Sequence, residues 1–126
     1  CWGFNNRTVA MRIPHSDEKN VRIEHRIAGA DANPYLVTAA VLAGILHGLD
    51  SKGDPGPAIV GNAYEQTEAR TLFWRDTIND FMASSFVKDT FGAEFQHVYG
   101  QQKLKEMRSF YTEVTTLEYQ WYLRQV

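Results

Sequence analysis

The sequence predicts an α+β fold in which a small antiparallel sheet packs with about four helices. Two observations carry this expectation. Over residues 8–13 and 21–27 apolar side chains alternate with others, the period of a half-buried strand. From residue 33 onward apolar positions recur at three- and four-residue spacing, the period of a helix. With 126 residues, 44% hydrophobic and 22% charged, the chain has the make-up of one globular domain or part of one. It holds no low-complexity tract and no internal repeat.

In "RTVAMRIP", Val9, Met11 and Ile13 form one face of the first strand, and Thr8, Ala10 and Arg12 the other. Pro14 ends that strand, and the polar "HSDEKN" leads to "VRIEHRI". There Val21, Ile23, His25 and Ile27 share one face, and Arg22, Glu24 and Arg26 the other. The short connection favours antiparallel pairing of the two strands. Arg7 falls out of step with Arg12, which places it at a strand–loop junction.

Asn33 is the expected cap of a helix with Pro34 at its first position. From Tyr35 to Leu49 the helix holds no Asp, Glu, Lys or Arg, only His47. A helix apolar on nearly all sides is expected to be buried. Residues 51–70 read as a glycine- and proline-rich loop, and 71–126 as helical. Asp76 is the expected cap of a short helix carrying Ile78, Phe81 and Met82. Gly92 stops or bends the chain after "SFVKDTF". One long helix then runs from Ala93 to about Leu123, through Gly100 at a cost of about 1 kcal/mol relative to alanine.

A net charge of -2 gives no electrostatic reason to expect nucleic acid or an anionic membrane as partner. The apolar run from Tyr35 to Leu46 is shorter than the roughly 20 residues of a bilayer span. No signal peptide is legible at the N-terminus. The single cysteine, Cys1, cannot form an internal disulfide, which accords with a reducing compartment. A cytoplasmic location is the expectation.

Positive charge is concentrated locally. Arg7, Arg12, Arg22 and Arg26 lie within twenty residues, with Glu24 between the last two. As solvated ion pairs on a strand they would contribute under about 1 kcal/mol each. Their chemistry suits a larger task. The guanidinium fork matches phosphate and carboxylate. A carboxylate among arginines neutralises them or holds a hard divalent cation. Magnesium takes one or two protein carboxylates, and substrate phosphates complete its shell. Such a set is one wall of an ATP–Mg²⁺ site. His25 falls on the strand face opposite Glu24 and reads as packed, His15 as exposed in its loop, and His47 and His97 as structural.

The order "NR", "RIP", "RIEHR" and "ADANPY" resembles the C-terminal part of the glutamine synthetase catalytic domain. That family carries an Asn-Arg pair, an arginine five residues on, then Arg-x-Glu-x-Arg, then Ala-Asn-Pro-Tyr. The likeness continues through Asp54–Gly56, and the final segment is similar to the C-terminal helix of the γ-glutamylpolyamine synthetase branch. The resemblance implies that Arg7 lies beside the transferring phosphoryl group and that Arg12 and Arg22 hold ATP phosphates. It implies that Glu24 binds a divalent ion, Mg²⁺ or Mn²⁺, and that Arg26 grips glutamate. Activation of glutamate by ATP, followed by attack of ammonia or an organic amine such as a polyamine, is the implied reaction. The implied parent is a homo-oligomeric enzyme of which this chain is a C-terminal fragment, inactive alone. Two other readings stand beside this one: a stand-alone nucleotide- or phosphate-binding module, and a non-catalytic assembly domain.

Overall fold

The strand-like residues near the N-terminus form a three-stranded sheet in the order β1–β2–β3: β1 Trp2–Phe4, β2 Met11–Ile13 and β3 Glu24–His25. The computed structural model describes residues 1–68 and 73–124 and divides into two units, Cys1–Ala69 and Arg70–Val126. β2 and β3 pair antiparallel, as the sequence predicts, with Arg12 opposite Glu24 and Met11 opposite His25. β1, however, pairs parallel to β2, with Trp2 opposite Met11, so the sheet is mixed and not purely antiparallel.

Parallel neighbours usually need a crossover of a dozen residues or more. Here the strands are so short that residues 5–10 suffice, because the chain turns back at Asn5 with φ 46. Asparagine tolerates that left-handed conformation. The N–H of Asn5 donates to the Ile13 carbonyl at 2.8 Å, and that of Met11 to the Cys1 carbonyl at 3.1 Å. Both predicted strands are shorter than expected. Thr8–Ala10 belongs to the turn, and only Glu24–His25 of the second run is a strand.

α1 spans Pro34–Ser51 with the predicted cap: Asn33 Oδ1 accepts from the N–H groups of Tyr35 at 3.0 Å and Leu36 at 3.2 Å. It ends at Lys52, in the left-handed region at φ 50. Its expected burial is not found, for among the described residues of α1 none is buried, and Leu42, Leu46 and Leu49 are exposed. The cause is geometric. An all-round apolar helix needs cover on several sides, and three very short strands cannot give it. The helix outruns the apolar run expected from sequence. By length and composition alone α1 can cross a membrane, a test that core helices also pass. At 1.5 Å per residue its 18 residues reach about 27 Å, against roughly 30 Å of hydrocarbon.

The second unit is helical: α2 Trp74–Ala83, α3 Ser85–Phe91, α4 Ala93–Thr112 and α5 Thr116–Tyr122. The described residues thus form five α-helices where about four are expected. Phe73, not Asp76, stands at the cap of α2; Asp76 lies in the first turn, where a negative charge suits the helix dipole. α4 packs against α2 and α3, burying Ile78 and Met107. Gln96 is buried too, and its Nε2 donates at 2.8 Å to the carbonyls of both Phe81 and Ser84. Those carbonyls lie where α2 ends and α3 begins, so the side chain of Gln96 ties α4 to that junction.

Gly92, at φ 85, separates α3 from α4 as expected. α4 runs through Gly100, and the reason is close packing: a Cβ there would lie 2.5 Å from Met82 Cγ. The expected single final helix is broken after Thr112. Thr115 starts a new helix through a capping box, its Oγ1 accepting from the N–H of Glu118 at 3.3 Å while Glu118 Oε2 accepts from the N–H of Thr115 at 2.6 Å. Residues 69–72 and 125–126, at the loop–helix boundary and the chain end, lie outside the described residues.

Two measurements test this unit. The hydrogen bond from the Thr115 backbone, then that from its hydroxyl, hold the Glu118 carboxyl below its usual range. A carboxylate held low stabilises above its unfolded-state pKa, and the effect is lost as pH falls through the lowered value. Carbon chemical shifts at Glu118–Tyr122 should therefore lose helical character on acidification, and Glu118→Gln should abolish that pH dependence. Gly100→Ala should destabilise the chain by about 1–3 kcal/mol in urea unfolding, through overpacking against Met82. In a Met82→Ala background the same substitution should cost almost nothing.

Candidate anion-binding site

The register of β2 and β3 sets Arg12 and Glu24 directly opposite one another, where cross-strand side chains meet. Arg12 Nη1 donates to Glu24 Oε2 at 2.9 Å, and Nη2 to Asn5 Oδ1 at 2.7 Å. Arg26 follows β3 directly, and its N–H donates to the Ala10 carbonyl at 3.0 Å. Its Nε lies 3.3 Å from Glu24 Oε1, and its Nη1 donates to the Arg7 carbonyl. Each oxygen of Glu24 thus meets a guanidinium, and the Arg7 backbone is tied to the same cluster.

Arg7 sits within the turn between β1 and β2, not at the strand–loop junction expected, and is exposed. The Arg12 side chain is only 16% exposed, and its buried Nε has no hydrogen-bond partner among the described residues. A buried donor left unpaired costs about 1–3 kcal/mol. Arg12 and Arg7, with Asn5 and Asn6, line one side of an open cleft of about 560 Å³ whose other side is the segment Ala58–Gly61.

Four of the five predicted residues are therefore brought together, and Arg22 is not. It is exposed, and its Nη1 reaches the Asn20 carbonyl at 3.3 Å. The predicted alternation fails there because the strand begins only at Glu24. Sequence reasoning gave Asn6 only as part of the Asn-Arg pair and Thr8 only as a strand residue, and missed Asn5 and Ala58–Gly61. The doubled asparagine before Arg7 was a usable signal, since asparagine favours turns and left-handed backbone.

The described residues form no group of three or more His, Cys, Asp or Glu able to hold a metal ion. Both oxygens of Glu24 are engaged by arginines, and it is the one carboxylate of the cluster among the described residues. Guanidiniums in excess, a buried unpaired donor and an adjoining cleft make a candidate anion-binding site on a small mixed sheet.

The chain belongs to the glutamine synthetase catalytic-domain family, which matches residues 1–122. It is 44% identical over 124 residues to the γ-glutamylputrescine synthetase PuuA of Escherichia coli K12, covering 98% of this chain and 26% of that protein. It is 39% identical over 126 residues to a glutamate–isopropylamine ligase of a Pseudomonas species, covering 97% and 28%. Among solved structures it resembles apo GmaS without ligand, with TM-score 0.75 and 28% identity over 97% of this chain and 29% of that one. The chain thus spans between a quarter and a third of the length of these relatives.

The ion pairs make a direct prediction. In chelator-treated buffer, Glu24→Gln frees both guanidiniums and should tighten binding of inorganic phosphate by up to about fivefold, the equivalent of a pair worth about 1 kcal/mol. Arg12→Ala should weaken the same binding. Calorimetric titration checks both, and an unchanged affinity in Glu24→Gln would mean that the carboxylate does not restrain the arginines.

Proposed function

We propose that this chain supplies a phosphate- and glutamate-binding wall of an ATP-dependent ligase that joins glutamate to an amine. One observation carries the reading: in a chain of this family, Arg12 is clustered with Glu24 and Arg26 and lines a cleft beside Arg7, its Nε–H buried and unpaired. An oligophosphate is the natural acceptor for such donors.

The chemistry has two steps. A γ-carboxylate oxygen of glutamate attacks the γ-phosphorus of ATP, and ADP leaves. The amine nitrogen then attacks the acyl carbon of γ-glutamyl phosphate, loses a proton, and inorganic phosphate departs. Phosphoryl transfer depends on positioning and charge neutralisation. In this reading Arg7 steadies the transferring phosphoryl group, Arg12 and Arg22 hold the nucleotide phosphates, and Arg26 holds the glutamate carboxylate. Glu24 restrains Arg12 and Arg26 in the unliganded cluster. With nucleotide bound, Glu24 would also offer one carboxylate to Mg²⁺ or Mn²⁺, whose shell substrate phosphates would help to complete. An organic amine is favoured over ammonia, because the relatives named above are a putrescine and an isopropylamine enzyme.

Phosphate release by the full-length protein with glutamate, ATP, Mg²⁺ and a panel of amines tests the reading. Turnover should be greatest with an alkyl mono- or diamine, and none should occur with this chain alone. Arg26→Ala should raise the glutamate KM at least thirtyfold, as expected from losing a buried charged contact worth about 2–5 kcal/mol. The ATP KM should stay nearly constant. An unchanged glutamate KM removes Arg26 from that role, and absence of turnover with every amine and with ammonia refutes the ligase reading.

A further inference from the structure

Arg7 rides on a turn whose two flanking residues are both fastened to a distant part of the chain. Asn6 Nδ2 donates to the carbonyls of Ile59 at 3.2 Å and Gly61 at 2.8 Å. Asn6 Oδ1 accepts from the Thr8 N–H at 2.9 Å and the Thr8 hydroxyl at 2.7 Å. Both donors and both acceptor positions of the amide are in use, the full capacity of an asparagine side chain. Thr8 Oγ1 in turn accepts from the Ala63 N–H at 2.9 Å.

The same segment is tied to β1. The Ile59 N–H donates to the Trp2 carbonyl at 2.8 Å, and Trp2 Nε1 donates to the Gly56 carbonyl at 2.9 Å. The approach is so close that a Cβ on Gly3 would stand 2.8 Å from the Ile59 carbonyl oxygen. Residues 56–63 therefore form a strap along β1 and the Arg7 turn. A stretch as poor in large apolar side chains as "GPAIVGNA" gains little from burial, so hydrogen bonds must hold it. The strap is also the far wall of the cleft that Arg7 and Arg12 line.

We propose that Asn6 and Thr8 are positioning residues that lock this strap against the Arg7 turn and so aim Arg7 at an oligophosphate in the cleft. Neither side chain takes part in the chemistry. Each fixes backbone on both sides of a residue that does. The kinetic part of the proposal rests on the ligase reading; the binding part does not. With the turn unpinned, Arg7 would sample directions away from the phosphoryl group, and a displacement of about 1 Å can cost about a hundredfold in rate.

The test uses neutral substitutions in the full-length protein: Asn6→Ala, Thr8→Val and Thr8→Ser. The readouts are kcat, the KM for glutamate, and calorimetric affinity for inorganic triphosphate. Asn6→Ala and Thr8→Val should lower kcat roughly 30- to 100-fold with the glutamate KM within about threefold. They should weaken triphosphate binding about tenfold, and Thr8→Ser, which keeps the hydroxyl, should recover most of both losses. Should Asn6→Ala fail to fold, the near-isosteric Thr8→Val and Thr8→Ser pair decides alone. Unchanged kcat and triphosphate affinity in folded variants overturn the proposal, as does equal impairment of Thr8→Ser and Thr8→Val. If the wild type binds triphosphate but turns over no amine, the ligase reading fails, and the triphosphate affinities still decide the positioning claim. A wild type that binds no triphosphate overturns it.

Discussion

The antiparallel register that sets Arg12 against Glu24 governs the whole cluster. A sheet has a side-chain period of two, so a slip of one residue would turn Glu24 to the other face. Arg12 would then lie opposite Ile23 or His25, and Arg26, two residues from Glu24, would turn away with it. The mostly buried Arg12 guanidinium would be left without its carboxylate. Pairing with Glu24 thus does more than add a bond. It allows positive charge to be concentrated on two neighbouring strands.

That concentration was legible in the sequence because it rests on local pattern: an arginine spacing, a two-residue alternation and a proline stop. The cap at Asn33 and the break at Gly92 were legible for the same reason, since each is encoded within a few residues. The parallel strand β1 was not, because three residues are too few to display a period and its partner is chosen by a turn at Asn5. Arg22 was misplaced because alternation was extrapolated beyond the two residues that keep strand geometry. The strap escaped notice because its bonds join residues more than fifty positions apart, through backbone carbonyls that no sequence pattern marks.

The helical unit holds a similar contrast. The capping box Thr115–Glu118 went unread, because apolar residues at three- and four-residue spacing suggested an uninterrupted helix. Periodicity reports which face is apolar and does not report whether the backbone between two turns is continuous. Gly100 misled in the opposite sense. It was counted as a weakness of α4, but it is where Met82 comes closest, so the missing side chain is what lets α2 and α4 approach.

The unpaired Nε of Arg12 has a thermodynamic corollary. Its cost is carried by the free protein; under the proposed reading an anion that accepts from it relieves that cost and favours the folded state over the unfolded one. Mass action then makes the measured melting temperature depend on anion concentration, rising with the logarithm of ligand above its dissociation constant. Phosphate buffer and an amine buffer would report different stabilities for the same polypeptide. Under that reading the free energy of folding is, for this sheet, partly a property of the ions dissolved around it.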